Sequence, residues 1–384
     1  TGQRTGRPMT KAPVLIMAGG TGGHVFPALA IARALRLRDE HVVWLGTERG
    51  IEARVVPPEG IPLETVRVQG LRGKGLRSWL LAPLRILLAV TDAIRVVWRH
   101  KPKVVLGMGG YTAGPGGLAA WLLRRPLVIH EQNAVAGLTN RLLAGFAREV
   151  LEAFPGSFSA SVKTRVTGNP VRADIAALPP PAVRFAGRHG PLRLLVLGGS
   201  QGARALNAAV AGAIVLLPAG QCPEIRHQAG EATRPIAEAA YRAAGVNADV
   251  VSFIEDMAEA YGWADVVLAR SGALTVAELA AAGVAAVLVP FPAAVDDHQT
   301  HNAAWLTEAG AATVLPQSRL TAGTLAAELQ AYTGNRALAL TRAELGSRNT
   351  DLIWNAADLA NGNLSEERVV VTDATHTQRT TTTY

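Results

Sequence analysis

Met17-Ala-Gly-Gly-Thr-Gly-Gly-His-Val-Phe-Pro27 is the stretch of sequence that decides the fold. It follows an apolar run, Val14–Met17, and precedes a helix-like pattern at residues 28–38. A strand, a glycine loop and a helix in this order let backbone N–H groups and a helix N-terminus face an anionic ligand. The stretch therefore predicts one unit of a nucleotide-binding α/β fold.

A second loop of the same kind, residues 198–204, follows the strand-like run 192–197 about 180 residues further along. In both halves helix-like patterns alternate with short apolar runs, which is typical of parallel α/β domains. One glycine loop is weak evidence, whereas two loops that each open a βαβ-like half indicate two Rossmann-like domains facing each other across a cleft. Strands are predicted at residues 14–17, 42–45, 104–106, 127–129, 150–153, 194–197, 250–253, 266–268, 286–289 and 312–314.

The composition is that of an ordered protein with enough apolar chain for two cores. The sequence has 384 residues, of which 49% are hydrophobic and 18% are charged. The single cysteine, Cys222, excludes an intramolecular disulfide and fits a reducing compartment. Residues 1–11 are too polar for a secretory signal, and no apolar stretch has the length of a transmembrane helix. We therefore expect a soluble protein.

Positive charge is concentrated in one segment. The formal net charge is +8, and residues 67–103 contain nine basic side chains and one acidic one, Asp92. Leucine, isoleucine and tryptophan are interleaved with these cations, a pattern that suits an anionic membrane surface. An amphipathic helix that begins at Pro83 and has a solvated basic face explains the same pattern. Nucleic-acid binding is less favoured because no aromatic stacking platform accompanies the charge.

Glycines and polar residues gather where predicted strands end. Residues 107–117 contain six glycines, which permits close approach of the backbone to a ligand. His130-Glu-Gln-Asn133 directly follows a predicted strand, at the edge where open α/β sheets bind ligands. A purely structural histidine–carboxylate network would give the same pattern.

Two further clusters lie in the second half. Residues 269–278 run from a strand into a helix, and Thr275 and Glu278 have capping-box spacing, so helix capping alone would account for them. Residues 296–302 contain acids and histidines but lack a thiolate and compact tetrahedral spacing, so no metal site is predicted.

The boundary between the halves is predicted at residues 167–172, a turn-forming hinge, and at the proline-rich loop 178–181. Residues 361–384 are polar and lack periodicity, which predicts a disordered or appended tail.

Six motifs occur in the order and spacing of one family, at residues 19–24, 109–111, 130–133, 168–172, 199–202 and 270–275. On these residues the chain resembles the family 28 glycosyltransferases of bacterial peptidoglycan synthesis. The resemblance covers about residues 14–317. Beyond residue 321 no further motif is recognisable, and the tail is foreign to the family.

The resemblance implies a GT-B fold: an acceptor and membrane-associating domain at residues 12–167, a UDP-sugar domain at 168–337, and a C-terminal helix at 338–360 that returns to the first domain. The implied reaction moves N-acetylglucosamine from UDP-N-acetylglucosamine, with inversion, to the 4-hydroxyl of the muramoyl sugar of lipid I, undecaprenyl-pyrophosphoryl-MurNAc-pentapeptide. The product is lipid II. No cofactor is expected besides the donor, because a helix N-terminus carries about half a positive charge and can serve the leaving diphosphate.

The resemblance also assigns residues to roles. His24 is the first choice as general base, with Glu131 and His130 as rivals. Donor-binding residues are expected at Thr21, Gly22, Gly23, Asn133, Arg172, Ser200, Ile254, Ala273, Leu274, Thr275, Val276, Ala277, Glu278, His298 and Gln299. Acceptor-binding residues are expected at Thr21, Gly109, Gly110, Tyr111, Asn133 and Asn140.

A lipid-linked acceptor favours the membrane interpretation of the basic segment. The expected location is peripheral, on the cytoplasmic face of the bacterial inner membrane, with an anionic lipid surface as partner and no nucleic acid. The expected membrane-contacting residues are Leu76, Trp79, Leu80, Leu84 and Leu87.

Two alternatives remain open at this point. The nearer is another GT-B enzyme that transfers a sugar from a UDP-sugar to a different membrane lipid. The more distant is a dinucleotide-binding protein, in which Glu48 after the second strand would meet a ribose. That fingerprint is incomplete, because Val25 occupies the place of its last glycine.

Overall fold

The computed structural model describes residues 11–68, 82–199, 203–294 and 297–348, together with short strands at 353–354, 366–371 and 377–382. The described chain forms two Rossmann-like domains, each built on a parallel sheet. Two separate buried apolar clusters accompany each sheet, so both faces of each sheet are covered.

The first domain contains a seven-stranded sheet. Its strands pair in parallel in the order β3-β2-β1-β4-β5-β6-β7 and are β1 (Val14–Met17), β2 (Val42–Gly46), β3 (Leu63–Thr65), β4 (Val104–Gly107), β5 (Leu127–Glu131), β6 (Glu149–Glu152) and β7 (Arg165–Val166). Its helices are α1 (Gly22–Arg36), α2 (Glu52–Val55), α3 (Ala82–His100), α4 (Gly110–Leu122) and α5 (Leu138–Leu143), with 3-10 turns at Pro57–Glu59 and Ala144–Phe146.

The chain passes to the second domain through the short strand β8 (Asn169–Pro170). The second sheet has the strand order β11-β10-β9-β12-β13-β14, with β9 (Arg193–Leu197), β10 (Glu224–Gln228), β11 (Asp249–Val251), β12 (Val266–Ala269), β13 (Ala285–Leu288) and β14 (Ala312–Val314). Its helices are α6 (Ala173–Ala176), α7 (Pro181–Phe185), α8 (Arg204–Val215), α9 (Arg234–Ala244), α10 (Met257–Trp263), α11 (Ala273–Ala282), α12 (His298–Glu308), α13 (Ala322–Thr333) and α14 (Arg336–Arg348), with a 3-10 turn at Gln317–Arg319.

Glycines in α4 allow this helix to pack closely on the first sheet and on α5. A Cβ atom on Gly116 would clash with Met17 Sδ and lie 2.9 Å from Leu45 Cδ2. A Cβ atom on Gly117 would lie 2.6 Å from Leu143 Cδ2. Part of the glycine content of residues 107–117 therefore serves helix packing rather than the approach of a ligand.

All ten predicted strands are present, each to within two residues. Strand β10 was not predicted, because its buried polar residues His227 and Gln228 interrupt the apolar pattern. The predicted start of the first helix at residue 28 is wrong: α1 begins at Gly22, so half of the glycine loop is helical and Pro27 lies inside the helix.

The C-terminal helix predicted over 338–360 lies partly outside the described residues. Within them, α14 (Arg336–Arg348) contacts α7, α11 and α13 of the second domain. The buried Ala339 and Ala343 are small enough to let α14 lie close to these helices. The chain meets the domain boundary again at β15 (Ile353–Trp354), which pairs in parallel with β8.

Two antiparallel strands, β16 (Glu366–Val371) and β17 (Thr377–Thr382), pair with each other in the segment for which the sequence predicts a disordered tail.

A buried carboxylate links the two ends of the second domain. Asp265 is fully buried and forms ion pairs with Arg188 and Arg336, the latter at 3.1 Å, and its Oδ2 accepts a hydrogen bond from the Arg193 backbone N–H at 3.0 Å. Arg336 is the first residue of α14, so this cluster fixes α14 to the start of β9.

We expect Asp265→Asn to lower the free energy of unfolding of the second domain by about 3–5 kcal/mol, because it leaves two arginines without their buried carboxylate. Glu224→Gln is the matched control. It removes an exposed ion pair with Arg193 at 3.9 Å and should cost less than about 1 kcal/mol. Urea unfolding followed by circular dichroism measures both, and equal losses in the two variants would contradict the interpretation.

Candidate active site

Helices α1, α4 and α11 begin at the carboxyl ends of strands and are among the helices without a side-chain cap at the N-terminus. Helices α1, α4 and α11 begin after Thr21, Gly109 and Gly272, and none of these three residues accepts a capping hydrogen bond through its side chain. The first N–H groups of a helix have no partner within the helix, so each terminus can bind an anion. Helices α1 and α4 follow the neighbouring strands β1 and β4, between which the strand order reverses, the usual ligand position in such sheets.

The two glycine loops of the first domain touch each other. Gly20, Gly109 and Gly110 have φ values of +96°, +86° and +78°, which glycine adopts far more readily than other residues. A Cβ atom on Gly20 would lie 2.7 Å from the Tyr111 ring, and one on Gly110 would clash with the Gly19 carbonyl oxygen. Both the backbone angles and the space therefore require glycine at this contact.

His24 lies between these loops in the first turn of α1. Its Nδ1 is 3.1 Å from Thr21 Oγ1, and a Cβ atom on Gly109 would lie 3.2 Å from its Nε2. Burial lowers the pKa of His24 below its usual value of 6.5; Glu131 opposes this shift, and His298 of the second domain adds to it. The imidazole is therefore neutral at pH 7 and able to accept a proton.

Glu131 is a buried carboxylate with a full set of hydrogen-bond donors. Its Oε1 accepts from the backbone N and the Nδ2 of Asn133, at 3.0 and 3.1 Å. Its Oε2 accepts from Gly137 N at 3.0 Å and from Asn140 Nδ2 at 2.9 Å. This carboxylate organises the loop that follows β5.

His130 is also buried, and both its ring nitrogens are engaged. Its Nε2 lies 2.9 Å from the Gly168 carbonyl, and its Nδ1 lies 3.1 Å from Gln132 Nε2. A carbonyl only accepts and an amide NH₂ only donates, so the proton is on Nε2. Burial lowers the pKa of His130, in keeping with this neutral form. Its ring connects the first domain to the boundary segment.

In the second domain, Glu278 of α11 accepts hydrogen bonds from Tyr261 Oη at 3.0 Å and from Arg172 at 3.4 Å. Burial raises the pKa of Glu278, and Arg172 opposes this rise. Because Gly272 is the N-cap of α11, Thr275 and Glu278 do not form the capping box that their spacing suggests. Ala273, Leu274 and Thr275 form the first turn of α11, in which Leu274 and Thr275 are half-buried. The side chain of Ala273 packs in the core with those of Val276 and Ala277.

The remaining predicted donor residues lie on three other segments. His298 and Gln299 begin α12, and Gln299 Oε1 accepts a hydrogen bond from Phe291 N at 2.9 Å, which joins the start of α12 to the chain after β13. Ile254 lies between β11 and α10 and packs on the core. Ser200 lies outside the described residues, as do Leu76, Trp79 and Leu80. Within the described part of the chain, no group of three or more histidine, cysteine or acidic residues is placed to hold a metal ion.

Two residues at the site were not predicted. Glu52 of α2 is fully buried; its Oε1 accepts from Thr47 N at 3.0 Å and Thr47 Oγ1 at 2.7 Å, and its Oε2 accepts from Gly20 N at 3.4 Å. Glu48, the acidic residue that would meet a ribose in the dinucleotide-binding alternative, is exposed. Asn302 of α12 is fully buried and contacts the first domain. The sequence signal for Asn302 was only its place in the polar cluster 296–302.

Comparison with known proteins agrees with this architecture. The model of the glycosyltransferase family 28 N-terminal domain matches residues 14–152, and that of the glycosyltransferase family 28 C-terminal domain matches residues 193–353. A protein of Alkalilimnicola ehrlichii named UDP-N-acetylglucosamine–N-acetylmuramyl-(pentapeptide) pyrophosphoryl-undecaprenol N-acetylglucosamine transferase is 61% identical over 318 residues, 83% of this chain and 89% of that protein. A protein of the same name from Marinobacter nauticus is 55% identical over 339 residues, 88% and 93% of the two chains.

Solved structures show the same arrangement of domains. MurG of Acinetobacter baumannii superposes with a TM-score of 0.77 at 42% identity, over 91% of this chain and 98% of that one. The calicheamicin glycosyltransferase CalG4 superposes with a TM-score of 0.62 at 16% identity, over 92% and 97% of the two chains, which shows the fold alone. The chain has the GT-B fold and belongs to glycosyltransferase family 28.

Proposed function

We propose that this protein transfers N-acetylglucosamine from UDP-N-acetylglucosamine to the 4-hydroxyl of the muramoyl sugar of lipid I, giving lipid II. The observation that carries the proposal is a neutral histidine, His24, placed among uncapped helix N-termini that belong to both domains. The names of the relatives from Alkalilimnicola and Marinobacter specify the same donor sugar and acceptor.

The reaction is a single displacement that inverts the anomeric carbon. The acceptor 4-oxygen forms a bond to C1 of N-acetylglucosamine while the bond from C1 to the UDP phosphate oxygen breaks. The hydroxyl proton passes to the base, and the bonding electron pair leaves with the diphosphate. The protein therefore needs a proton acceptor on one side of the sugar and a stabiliser of negative charge on the other.

His24 is the base in this proposal. Its pKa is held below 6.5, so the ring is neutral at pH 7, and Thr21 orients it through Nδ1. Glu131 and His130 are weaker choices, because four donors occupy the Glu131 carboxylate and both nitrogens of His130 are engaged. We assign them to positioning.

The N-terminus of α11 stabilises the departing diphosphate through the N–H groups of Ala273, Leu274 and Thr275. Following the resemblance, Glu278 accepts bonds from the ribose hydroxyls and Ile254 presents its backbone to uracil. Arg172 and Ser200 then contact the phosphate or sugar region, and Gln299, beside His298, holds the sugar hydroxyls.

The acceptor lies on the first domain. The α1 and α4 termini offer N–H groups to its pyrophosphate, at Thr21, Gly22 and Gly23 on one loop and at Gly109, Gly110 and Tyr111 on the other. Asn133 and Asn140 border the same site, since Asn140 Nδ2 would lie 3.4 Å from a Cβ atom on Gly109.

Membrane contact at the inner face of the cytoplasmic membrane completes the proposal. Leu84 and Leu87 of α3 are 55% and 61% exposed. Helix α4 packs against α3, and the exposed Trp121 lies at the far end of α4, in a tilted ring contact with Phe146 at a centroid distance of 5.1 Å. Of the helices in the described ranges, none has the length and apolarity needed to cross a bilayer.

We expect His24→Ala to lower the rate of transfer from radiolabelled UDP-N-acetylglucosamine to a lipid I analogue by about 10²–10⁴-fold, the usual contribution of a general base. Wild-type transfer should persist in excess EDTA, because a helix terminus stabilises the leaving group. His41→Ala, at an exposed position before β2, is the control.

Full activity in His24→Ala would move the base to Glu131 or His130. If the wild type binds UDP-N-acetylglucosamine and transfers nothing to lipid I, the acceptor is a different membrane lipid, and transfer to other lipid acceptors identifies it.

The pH profile tests the electrostatics of the base. Because His24 must be unprotonated, kcat/KM should fall as the pH drops through a pKa below 6.5. His298→Gln removes a group that lowers the pKa of His24, so its acidic limb should move to higher pH. His301→Gln, one turn further along α12, should leave the limb unchanged. An unmoved limb in His298→Gln would contradict this assignment.

We expect Leu84→Ser/Leu87→Ser to weaken binding to anionic phospholipid vesicles by about tenfold or more, since a buried leucine contributes about 1.5–3 kcal/mol. Turnover of a soluble acceptor analogue should stay unchanged. Leu37→Ser, at a residue 88% exposed on the end of α1, is the control. Vesicle flotation measures the effect, and equal binding by the double variant would refute membrane contact through α3.

A further inference from the structure

A fully buried side chain in the second domain contacts both halves of the candidate site. Asn302 lies in α12 and is 0% exposed. Its Oδ1 accepts a hydrogen bond from Ala134 N at 2.8 Å. Its Nδ2 donates to Asn133 Oδ1 at 3.3 Å and to the Ser271 carbonyl at 3.2 Å. Two of these three hydrogen bonds cross from one domain to the other.

The partners of Asn302 lead to two different parts of the site. Ser271 directly precedes Gly272, the N-cap of α11, where the diphosphate leaves in the proposed reaction. Asn133 donates two hydrogen bonds to Glu131, whose charge acts on the pKa of His24. A continuous series of contacts therefore runs from the leaving-group helix through Asn302 to the surroundings of the base.

The same loop is held on its other side by the domain boundary. Asn169 Nδ2 donates to the Gln132 carbonyl at 2.9 Å, and His130 donates to the Gly168 carbonyl. These bonds fix the loop relative to β8. The hydrogen bonds of Asn302 additionally fix the loop relative to α11 and α12.

We propose that Asn302 is a positioning residue that holds the loop 131–134 of the first domain at a set distance from the N-terminus of α11 when the cleft is closed. The proposal rests on the proposed function for its effect on catalysis. Asn302 acts through Ser271 and Asn133 and not on the reacting atoms. A small error in the separation of base and leaving group is costly, because displacement requires both to be aligned with the anomeric carbon.

The first test is a split between kcat and KM. Asn302→Ala should lower kcat about tenfold to a hundredfold, because it removes two interdomain hydrogen bonds of about 0.5–1.5 kcal/mol each. The KM for UDP-N-acetylglucosamine should change less than about threefold, since the donor-contacting groups remain. Thr307→Val on the same helix, which removes only hydrogen bonds within α12, is the control and should keep wild-type kcat.

A double-mutant cycle tests the route through Asn133. Asn133→Ala alone should lower kcat at least as much as Asn302→Ala, because it loses the side-chain hydrogen bond to Glu131 as well as the one from Asn302. If the two residues act as one unit, the double variant should lose little more than Asn133→Ala. If the fold losses in kcat of the two single variants multiply in the double variant, the two residues act independently and the proposal is wrong.

Hydrogen exchange at the amide of Ala134 tests the contact without catalysis. The amide should be protected in the wild-type protein and should exchange faster in Asn302→Ala. Asn302→Asp keeps an acceptor oxygen for Ala134 but loses the donor for Asn133 and Ser271, so it should keep the protection and still lose kcat. Unchanged exchange in Asn302→Ala would refute the contact. A wild type that does not glycosylate lipid I would refute the proposed function, while the exchange result would still decide the contact.

Discussion

The burial of the Glu131 carboxylate orders both the candidate base and the contact between the domains. A charge removed from water is tolerated only when donors surround it, and four N–H groups from the following loop and from α5 do so here. These four hydrogen bonds leave the loop little conformational freedom. The resulting conformation turns Asn140 toward Gly109, against which His24 packs, and presents Asn133 to the second domain.

The two domains contribute different electrostatic conditions to one cleft. The first domain buries an imidazole and keeps it neutral, while the second brings a helix terminus with positive potential and a second histidine that disfavours protonation of the first. In the proposed reaction, this combination separates proton acceptance from anion stabilisation. A single cationic group could not serve both purposes, because a protonated histidine is no longer a base.

Most of the fold was predictable from the sequence. Parallel strands that are buried on both faces appear in the sequence as short apolar runs, and glycine loops follow several of these runs. The glycine loops and the His130–Asn133 segment were predicted as parts of the site because open α/β sheets bind their ligands at the carboxyl ends of strands. Strand β10 was missed, since His227 is buried by pairing with Tyr241 and Asn207, contacts that no local pattern reveals. The roles of Glu52 and Asn302 were missed because their contacts with the site join distant parts of the chain: Gly20 is 32 residues from Glu52, and Ala134 is 168 residues from Asn302.

The parallel pairing of β15 with β8 bears on how the cleft moves. The chain passes the boundary at Asn169–Pro170 and comes back beside it at Ile353–Trp354, so two strands rather than one form the joint. A two-stranded ribbon bends across its flat face more readily than it shears within its plane. Such a joint favours a hinge motion that opens and closes the cleft over a rotation of one domain against the other within the plane of the cleft. The opposed helix termini therefore remain facing each other while a bulky lipid-linked sugar enters and leaves.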